Sequence, residues 1–364
     1  MLQIAYIRDN QEKVIKALAK RNLDVKTVIE EIVSLDENRR STQVELDSIL
    51  SEANKLAKDI GDLMKNGEKL KATILKEKTF LLKEKSKDLA EKATEFAKEL
   101  EQKLYTLPNL PAEIVPDGKT PEDNLMVFQD DWSSDVCSSD LGTKITAPGF
   151  PVYKGKGAKL QRALIAYFLD KNTDAGYLEY QVPHLVNEAS AYGTGQLPDK
   201  EGQMYHDAKD DLYLIPTAEV PVTNIFRDVI LQENELPVLA TGYTPCFRRE
   251  AGSWGAHVRG LNRLHQFDKV EIVRIEHPEK SYAALDTMVE HIKSILQELK
   301  LPFRILRLCG GDMGFTSALT YDFEVFSTAQ DRWLEISSVS NFETFQSNRL
   351  KLRFKDKDGK NQLA

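Results

Sequence analysis

Cysteine is scarce in this sequence: Cys137, Cys246 and Cys309 are the only three among 364 residues. They lie far apart, with no CxxC pair and no His/Cys cluster at metal-ligand spacing, so no zinc site is expected. An odd, sparse count also argues for reduced thiols and against a disulfide framework. Long apolar runs are missing too, and nothing approaches the roughly 18 apolar residues of a membrane-spanning helix. The opening MLQIAYIRDNQEKV is charged and lacks an apolar run of signal-peptide length. A soluble, cytoplasmic protein with no membrane partner is therefore the expectation. Neither a GxxxxGKS/T phosphate loop nor a GxGxxG turn after a strand occurs, so any ATP chemistry needs a different architecture. A formal net charge of −8 excludes a globally basic polyanion binder. Nucleic-acid contact would have to come from a local basic surface.

Proline is absent from Val28 to Leu104 and aromatics nearly so, while Lys, Glu, Ala and Leu dominate. Leu46, Ile49, Ala53, Leu56, Ile60 and Leu63 alternate three- and four-residue steps, which keeps one stripe on one helix face. Leu75, Leu82, Leu89 and Phe96 repeat at heptad spacing, with Ala93 and Leu100 filling in. Lys65-Asn66-Gly67 between the stripes suits a chain reversal. The pattern predicts an antiparallel coiled-coil hairpin over about 28–104, each arm a rod of roughly 50 Å. Between residues 65 and 87 eight lysines stand against three acids, a local excess of +5. Lys65, Lys69, Lys71, Lys76 and Lys78 are its candidate phosphate contacts, which would be salt-dependent and largely sequence-independent. A dimerisation coil and a merely solvated charged face are the other readings of this segment.

The chain changes character near residue 107. Residues 1–107 make an N-terminal domain, 108–141 an extended, proline-punctuated connector, and 142–364 a globular domain; the 41% apolar content permits a large core. Ala158 to Asn172 predicts an amphipathic helix and Tyr177 to Pro183 a strand. Further strands are predicted over Leu212–Ile215, Gln266–Ile275, Phe303–Cys309, Tyr321–Phe326 and Trp333–Ser337, with one helix, about Glu279–Leu299, among them. Strands with so few intervening helices predict an α+β fold, its sheet mixed and mostly antiparallel and flanked by helices.

The sharpest chemical signal is Phe247-Arg248-Arg249-Glu250, then the glycine-rich AGSWGAHVRG, then Leu261-Asn-Arg-Leu-His-Gln-Phe267. The spacing predicts Arg248 and Glu250 on one strand face, a loop, and a returning strand that carries an aromatic. Arginine can fork onto a phosphate, a carboxylate can accept from an adenine amino group, and phenylalanine offers a stacking face.

FRRE with RLHQF resembles motif 2 of the class II aminoacyl-tRNA synthetases. IPTAEVPVTN (Ile215 to Asn224), TPCFRREAGS, GLNRLHQFDKVEIV, CGGDMGF and YDFEVF with EISSVSNFETFQSNR are similar to the bacterial-type seryl-tRNA synthetase group in particular. YGTGQLP (Tyr192 to Pro198) and the N-terminal hairpin fit as well. The resemblance implies a serine–tRNA ligase with a class II catalytic domain. It implies that Thr217, Ala218 and Glu219, with Glu271, hold serine's amino group and hydroxyl. It places Arg248 on the ATP α-phosphate with Arg249 beside it, Glu250 on the adenine amino group, and Phe267 under the base. Glu335, Ile336, Ser337 and Ser338 would complete the ATP site, Glu335 and Ser338 holding Mg²⁺ together with substrate phosphates. Arg248 and Glu335 are the catalytic residues that it implies. The implied partners are L-serine, ATP, tRNA(Ser), tRNA(Sec) and a second copy of the chain, which would meet the helix after Gly157 and the strand ending at Pro183. The hairpin would reach the long variable arm of the tRNA and read its shape.

Two stretches depart from the family. Asp131 to Leu141, DWSSDVCSSDL, is a serine/aspartate near-repeat without a counterpart, either foreign to the native chain or a natural flexible linker. The last residues, Lys360 to Ala364, read as the second strand of a hairpin turning at Asp358-Gly359, where the family continues into motif 3 and its phosphate-gripping arginine. From this the expectation is weak or absent serine activation by the chain as written, and a last strand of the sheet left uncovered with its apolar face exposed. A ligase loading a carrier protein is a rival reading, which the long hairpin disfavours. A catalytically dead coiled-coil interaction protein is another, against which the intact TAE, FRRE, HQF and EISS segments stand.

Overall fold

The computed structural model describes residues 1–65, 69–129, 141–147, 149–199, 202–250, 263–328 and 330–364. The predicted turn at Asn66-Gly67, residues 131–140 of the near-repeat and the loop at 251–262 lie outside the described residues. The chain divides into two compact units, one of Leu2–Ala19 with Asp24–Leu107, the other of Met1, Lys20–Leu23 and Pro108–Ala364.

In the first unit α1 (Ile4–Asp9) and α2 (Gln11–Ala19) precede two long helices, α3 (Lys26–Lys65) and α4 (Lys69–Tyr105). Each long arm has one apolar stripe, and the only surface that can cover it is the other arm. Leu46 and Ile49 accordingly bury against Leu82 and Leu89. Ion pairs Lys78–Glu52, Lys85–Glu45 and Lys103–Glu31, at 2.7, 2.7 and 2.6 Å, join rising numbers on α4 to falling numbers on α3. The arms are therefore antiparallel, as the heptads predict. At the base Ile7, Val14, Leu18, Ile29 and Ile32 are fully buried. Asp36 is buried beside them; burial raises its carboxyl pKa, but hydrogen bonds from Arg39 and Arg8 outweigh it and the net shift is downward.

Of the candidate tRNA contacts, Lys76 is exposed and Lys78 is committed to Glu52. The side chains of Lys65, Lys69 and Lys71 lie outside the described residues. Solvent-exposed pairs of this kind contribute little, so Lys85→Met is expected to lower unfolding free energy by less than about 1 kcal/mol in urea titrations.

The second unit begins with β1 (Leu125–Gln129), α5 (Leu141–Ile145) and α6 (Lys156–Asp174). Short elements follow: β2 (Leu178–Glu179), β3 (Leu185–Val186), α7 (Glu188–Thr194), β4 (His206–Asp207), β5 (Leu212–Leu214), α8 (Glu219–Asn224) and β6 (Ile230–Gln232). The long strands β7 (Val238–Phe247) and β8 (Gln266–Ile275) lead to α9 (Ser281–Glu298). Then come β9 (Phe303–Arg307), β10 (Leu319–Ser327), β11 (Arg332–Asn341), α10 (Phe345–Leu350) and the hairpin β12 (Arg353–Lys355) with β13 (Asn361–Leu363).

Among the described residues the strands make four sheets, in the orders β1-β9-β10-β11, β2-β7-β8, β3-β5-β4 and β13-β12-β6. Of these described pairs, only β2–β7 and β6–β12 are parallel. The α+β body is thus mostly antiparallel, as expected, although its strands are divided among four sheets. The strand predicted over Tyr177 to Pro183 shrinks to the two residues of β2, with the Tyr180 amide still donating to the Thr241 carbonyl.

Phe303 and Phe323 are fully buried and stack at 6.4 Å, covered by Leu285 and Leu296 of α9. β8 and β11 are each the last strand of their sheet, and both line one cavity of about 690 Å³. Leu164 and Phe168 of α6 and Leu285, Met288 and Ile292 of α9 wall it with apolar surface. The expected uncovered last strand of the sheet has its counterpart in β11, which borders this cavity and leaves Ile336 exposed. β13 turns Asn361 and Gln362 outward, while Ala364 is buried with Leu350, Leu352 and Phe354. The terminal hairpin folds its apolar residues inward, toward the cavity that Leu350, Leu352 and Ala364 also line.

Candidate active site

The antiparallel pair β7–β8 runs in register from Val238 opposite Ile275 to Phe247 opposite Gln266. Alternation along β8 puts Phe267, Lys269 and Glu271 on one face. The turn before α8 brings Thr217 to that face. Its hydroxyl donates to Glu271 Oε2 at 2.7 Å and accepts from Lys269 Nζ at 3.0 Å. Lys269 is also 2.8 Å from Glu271 Oε2. The same hydroxyl oxygen accepts the Glu219 amide at 3.2 Å, and Ala218 is buried behind it. Glu219 accepts from Gln346 Nε2 of α10 at 2.6 Å. Burial, then the neighbouring Glu271 carboxylate, push the Glu219 carboxyl up to about 7. The four residues expected to hold serine therefore gather in one place, with a lysine among them.

Arg248 follows β7 directly. Its amide donates to the His265 carbonyl at 3.0 Å, its Nε donates to the Pro216 carbonyl at 3.3 Å, and its guanidinium lies 5.0 Å over the Phe267 ring. The expected phosphate and base residues are thus adjacent. One expectation of motif 2 is corrected. β7 ends at Phe247 and Glu250 adopts φ +50°, so Arg248 and Glu250 do not share a strand face. That left-handed turn aims the Glu250 carboxylate at Arg263, 2.7 Å away. Arg249 donates from Nε to the Met204 carbonyl at 3.0 Å and stacks on Tyr205 at 4.7 Å.

On β11, Glu335 stands opposite Glu324 and Ser338 opposite Asp322, on either side of a register shift. Loss of hydration raises the Glu335 carboxyl, against the attraction of Arg248 and Lys269, so the strand lies within electrostatic reach of motif 2. Ile336, Ser337 and Ser338 line the same cavity as Glu219 and Glu271. Asp322 Oδ1 is buried without a hydrogen-bond partner. Burial and the charge of Glu335 push the Asp322 carboxyl up to about 7. Among the described residues no three His, Cys, Asp or Glu side chains converge as a metal group. The Glu335 carboxylate, the Ser338 hydroxyl and Asp322 with its unsatisfied Oδ1 fit a hard cation that takes its other ligands from phosphates and water.

Comparison with known proteins matches residues 1–111 to the seryl-tRNA synthetase N-terminal domain and 203–364 to the tRNA synthetase class II core domain (G, H, P, S and T). The serine–tRNA ligase of Salinibacter ruber is 46% identical over 98% of this chain and 87% of its own length. The chain belongs to the seryl-tRNA synthetase family. A second member, the serine–tRNA ligase of Hydrogenobaculum sp., is 45% identical over the whole chain and 90% of its own length. The seryl-tRNA synthetase of Pyrococcus horikoshii, solved in complex with ATP, superposes with a TM-score of 0.92 at 30% identity, covering the whole chain and 89% of that structure. The second unit is a class II synthetase core, and the family resemblance read from the motifs holds. Among the described residues no helix is long and apolar enough to cross a membrane.

Within this synthetase core two residues escaped the sequence reading. Lys269 sits between Phe267 and Glu271 at two-residue spacing, a signal that was available. Gln346 lies in the FETFQSNR segment, yet nothing local ties it to Glu219, 127 positions away.

Proposed function

We propose that the chain activates L-serine with ATP and transfers it to tRNA(Ser), with tRNA(Sec) as a second acceptor, at the site between β7, β8 and β11. One observation carries this reading: the Thr217–Lys269–Glu271 cluster, with contacts of 2.7 to 3.0 Å, adjoins the Arg248–Phe267 stack on the same strand pair. A pocket of carboxylates suits an ammonium group, and beside it a guanidinium and an aromatic face suit a nucleotide. Serine's ammonium binds Glu219 and Glu271, and its hydroxyl bonds within Thr217-Ala218-Glu219. A site built to bond a hydroxyl discriminates against alanine, because its polar groups would be left unpaired.

Serine's carboxylate attacks the α-phosphorus in line and pyrophosphate leaves, while Arg248 stabilises charge on the phosphoryl oxygens. Phe267 stacks the adenine; Glu250 accepts from its amino group once released from Arg263, and Arg249 braces the strand end through Tyr205. Glu335 and Ser338, with Asp322 behind them, would hold Mg²⁺, which neutralises phosphate charge when bound. The terminal ribose hydroxyl of the tRNA then attacks the seryl carbonyl and AMP leaves. The same reading places the enzyme in the cytoplasm as a homodimer across α6 and β2, where Leu160 and Leu178 are exposed.

The test is serine-dependent ATP–pyrophosphate exchange, run on the chain as written and on a version extended by a family motif 3. Exchange with serine and not with alanine or threonine is the expected result, stronger from the extended version. Silence from both folded versions with every amino acid would overturn the proposal. For the hairpin, Lys76→Glu with Lys78→Glu is expected to weaken tRNA binding about tenfold and to flatten its salt dependence. Filter binding across a salt series checks it.

A further inference from the structure

We propose that Lys269 is a positioning residue for serine: in the empty site its ammonium stands in for the substrate's, holding Thr217 and Glu271 in the geometry that receives it. The proposal rests on the site reading above. Its geometry is a closed triangle. Lys269 Nζ lies 3.0 Å from Thr217 Oγ1 and 2.8 Å from Glu271 Oε2, and those two oxygens are 2.7 Å apart. A lysine ammonium is compact, offers three donors and matches the α-ammonium of an amino acid in charge and size. Whatever holds Lys269 there will hold a substrate ammonium in the same way.

Electrostatics gives the reason for a stand-in. The charged groups acting on Lys269 are Glu271 of its own strand, Arg248 after β7, Glu219 of α8 and Glu335 of β11. Cys246 of β7 lies within the same field and is buried. Burial and the repulsion of Glu271 raise the Glu219 carboxyl to about 7, and a cation beside it favours the ionised form. A protonated carboxyl is a poor receptor for an ammonium. Lys269 favours the ionised form of Glu219 beside Glu271, and serine's ammonium displaces it. Its place on β8, two residues from Glu271 and two from Phe267, lets a long flexible side chain turn from the carboxylates toward the substrate's own carboxylate.

Serine binding by titration calorimetry over a pH series tests this on the full chain. Lys269→Met is expected to weaken serine about tenfold and to move the acid-side midpoint of binding up by about one pH unit. Lys269→Arg keeps the charge without the shape, so it restores the midpoint and leaves affinity reduced. ATP affinity moves less than serine affinity in both. A folded Lys269→Met protein with unchanged affinity, or with weaker binding at an unmoved midpoint, would overturn the proposal; the second result is that of a merely structural lysine. If Lys269→Met does not fold, Lys269→Gln takes its place with the same two readouts. Glu271→Gln separates the two layers. Weak serine binding in Glu271→Gln beside parent-like binding in Lys269→Met sinks this inference alone. No effect of Glu271→Gln, or no serine binding by the parent, sinks the site reading with it.

Discussion

Arg248→Ala lowers serine-dependent pyrophosphate exchange by about 10²–10³-fold, the usual loss when one preorganised donor to a developing charge is removed. The fold should survive the change. Among the described residues the Arg248 side chain makes one hydrogen bond, from Nε to the Pro216 carbonyl at 3.3 Å, and otherwise lies over the Phe267 ring. Its amide bond to His265 is a backbone contact that alanine keeps. Little structure therefore depends on the guanidinium, whereas the α-phosphoryl oxygens have no equal partner on β7 or β8. Lysine at 248 restores charge but not the planar fork, so partial recovery is expected. Thermal melting run beside the exchange assay separates lost chemistry from lost fold. Exchange at the parental rate from Arg248→Ala would mean that the α-phosphate is held elsewhere.

The parts legible in the sequence are those whose cause is local. The hairpin is written in its heptads, because each arm has one stripe and no other surface to bury it against. β8 has the predicted limits, Gln266 to Ile275, since its β-branched and aromatic run is bounded by polar residues. β7 was harder to read. Gly242 and Pro245 interrupt it, and proline normally demotes a strand, yet Pro245 pairs opposite Asp268 within the ladder. The left-handed turn at Glu250 has no sequence signal, because glutamate there is uncommon and tertiary contacts impose it. Gln346 reaches Glu219 only through the fold. Residue roles inferred from motif order concern side chains with their ligands bound. They were silent on the ligand-free partners, such as Arg263 on Glu250, that those side chains take meanwhile.

Glu219→Gln is expected to stabilise the fold at alkaline pH while abolishing serine binding, two effects of opposite sign from one group. The Glu219 carboxyl is held at about 7 in the folded chain, against an ordinary 4.5. A raised folded pKa means that ionisation costs more in the native state than in the unfolded one. Stability from this group therefore falls as pH rises from 4.5, and the penalty is complete above 7. At about 1.4 kcal/mol per pH unit, with allowance for relaxation around the site, the penalty is about 2 kcal/mol. Glutamine cannot ionise, and its carbonyl oxygen still accepts from Gln346. Melting curves should thus show Glu219→Gln more stable than the parent at pH 8 and level with it near pH 4.5. An equal gap at both pH values, or a destabilised variant at pH 8, would sink the argument. Saturating serine supplies the missing ammonium to the parent alone, so it should close the gap at pH 8 and leave the variant unmoved. A pocket that costs the fold stability until its ligand arrives is one shaped for that ligand.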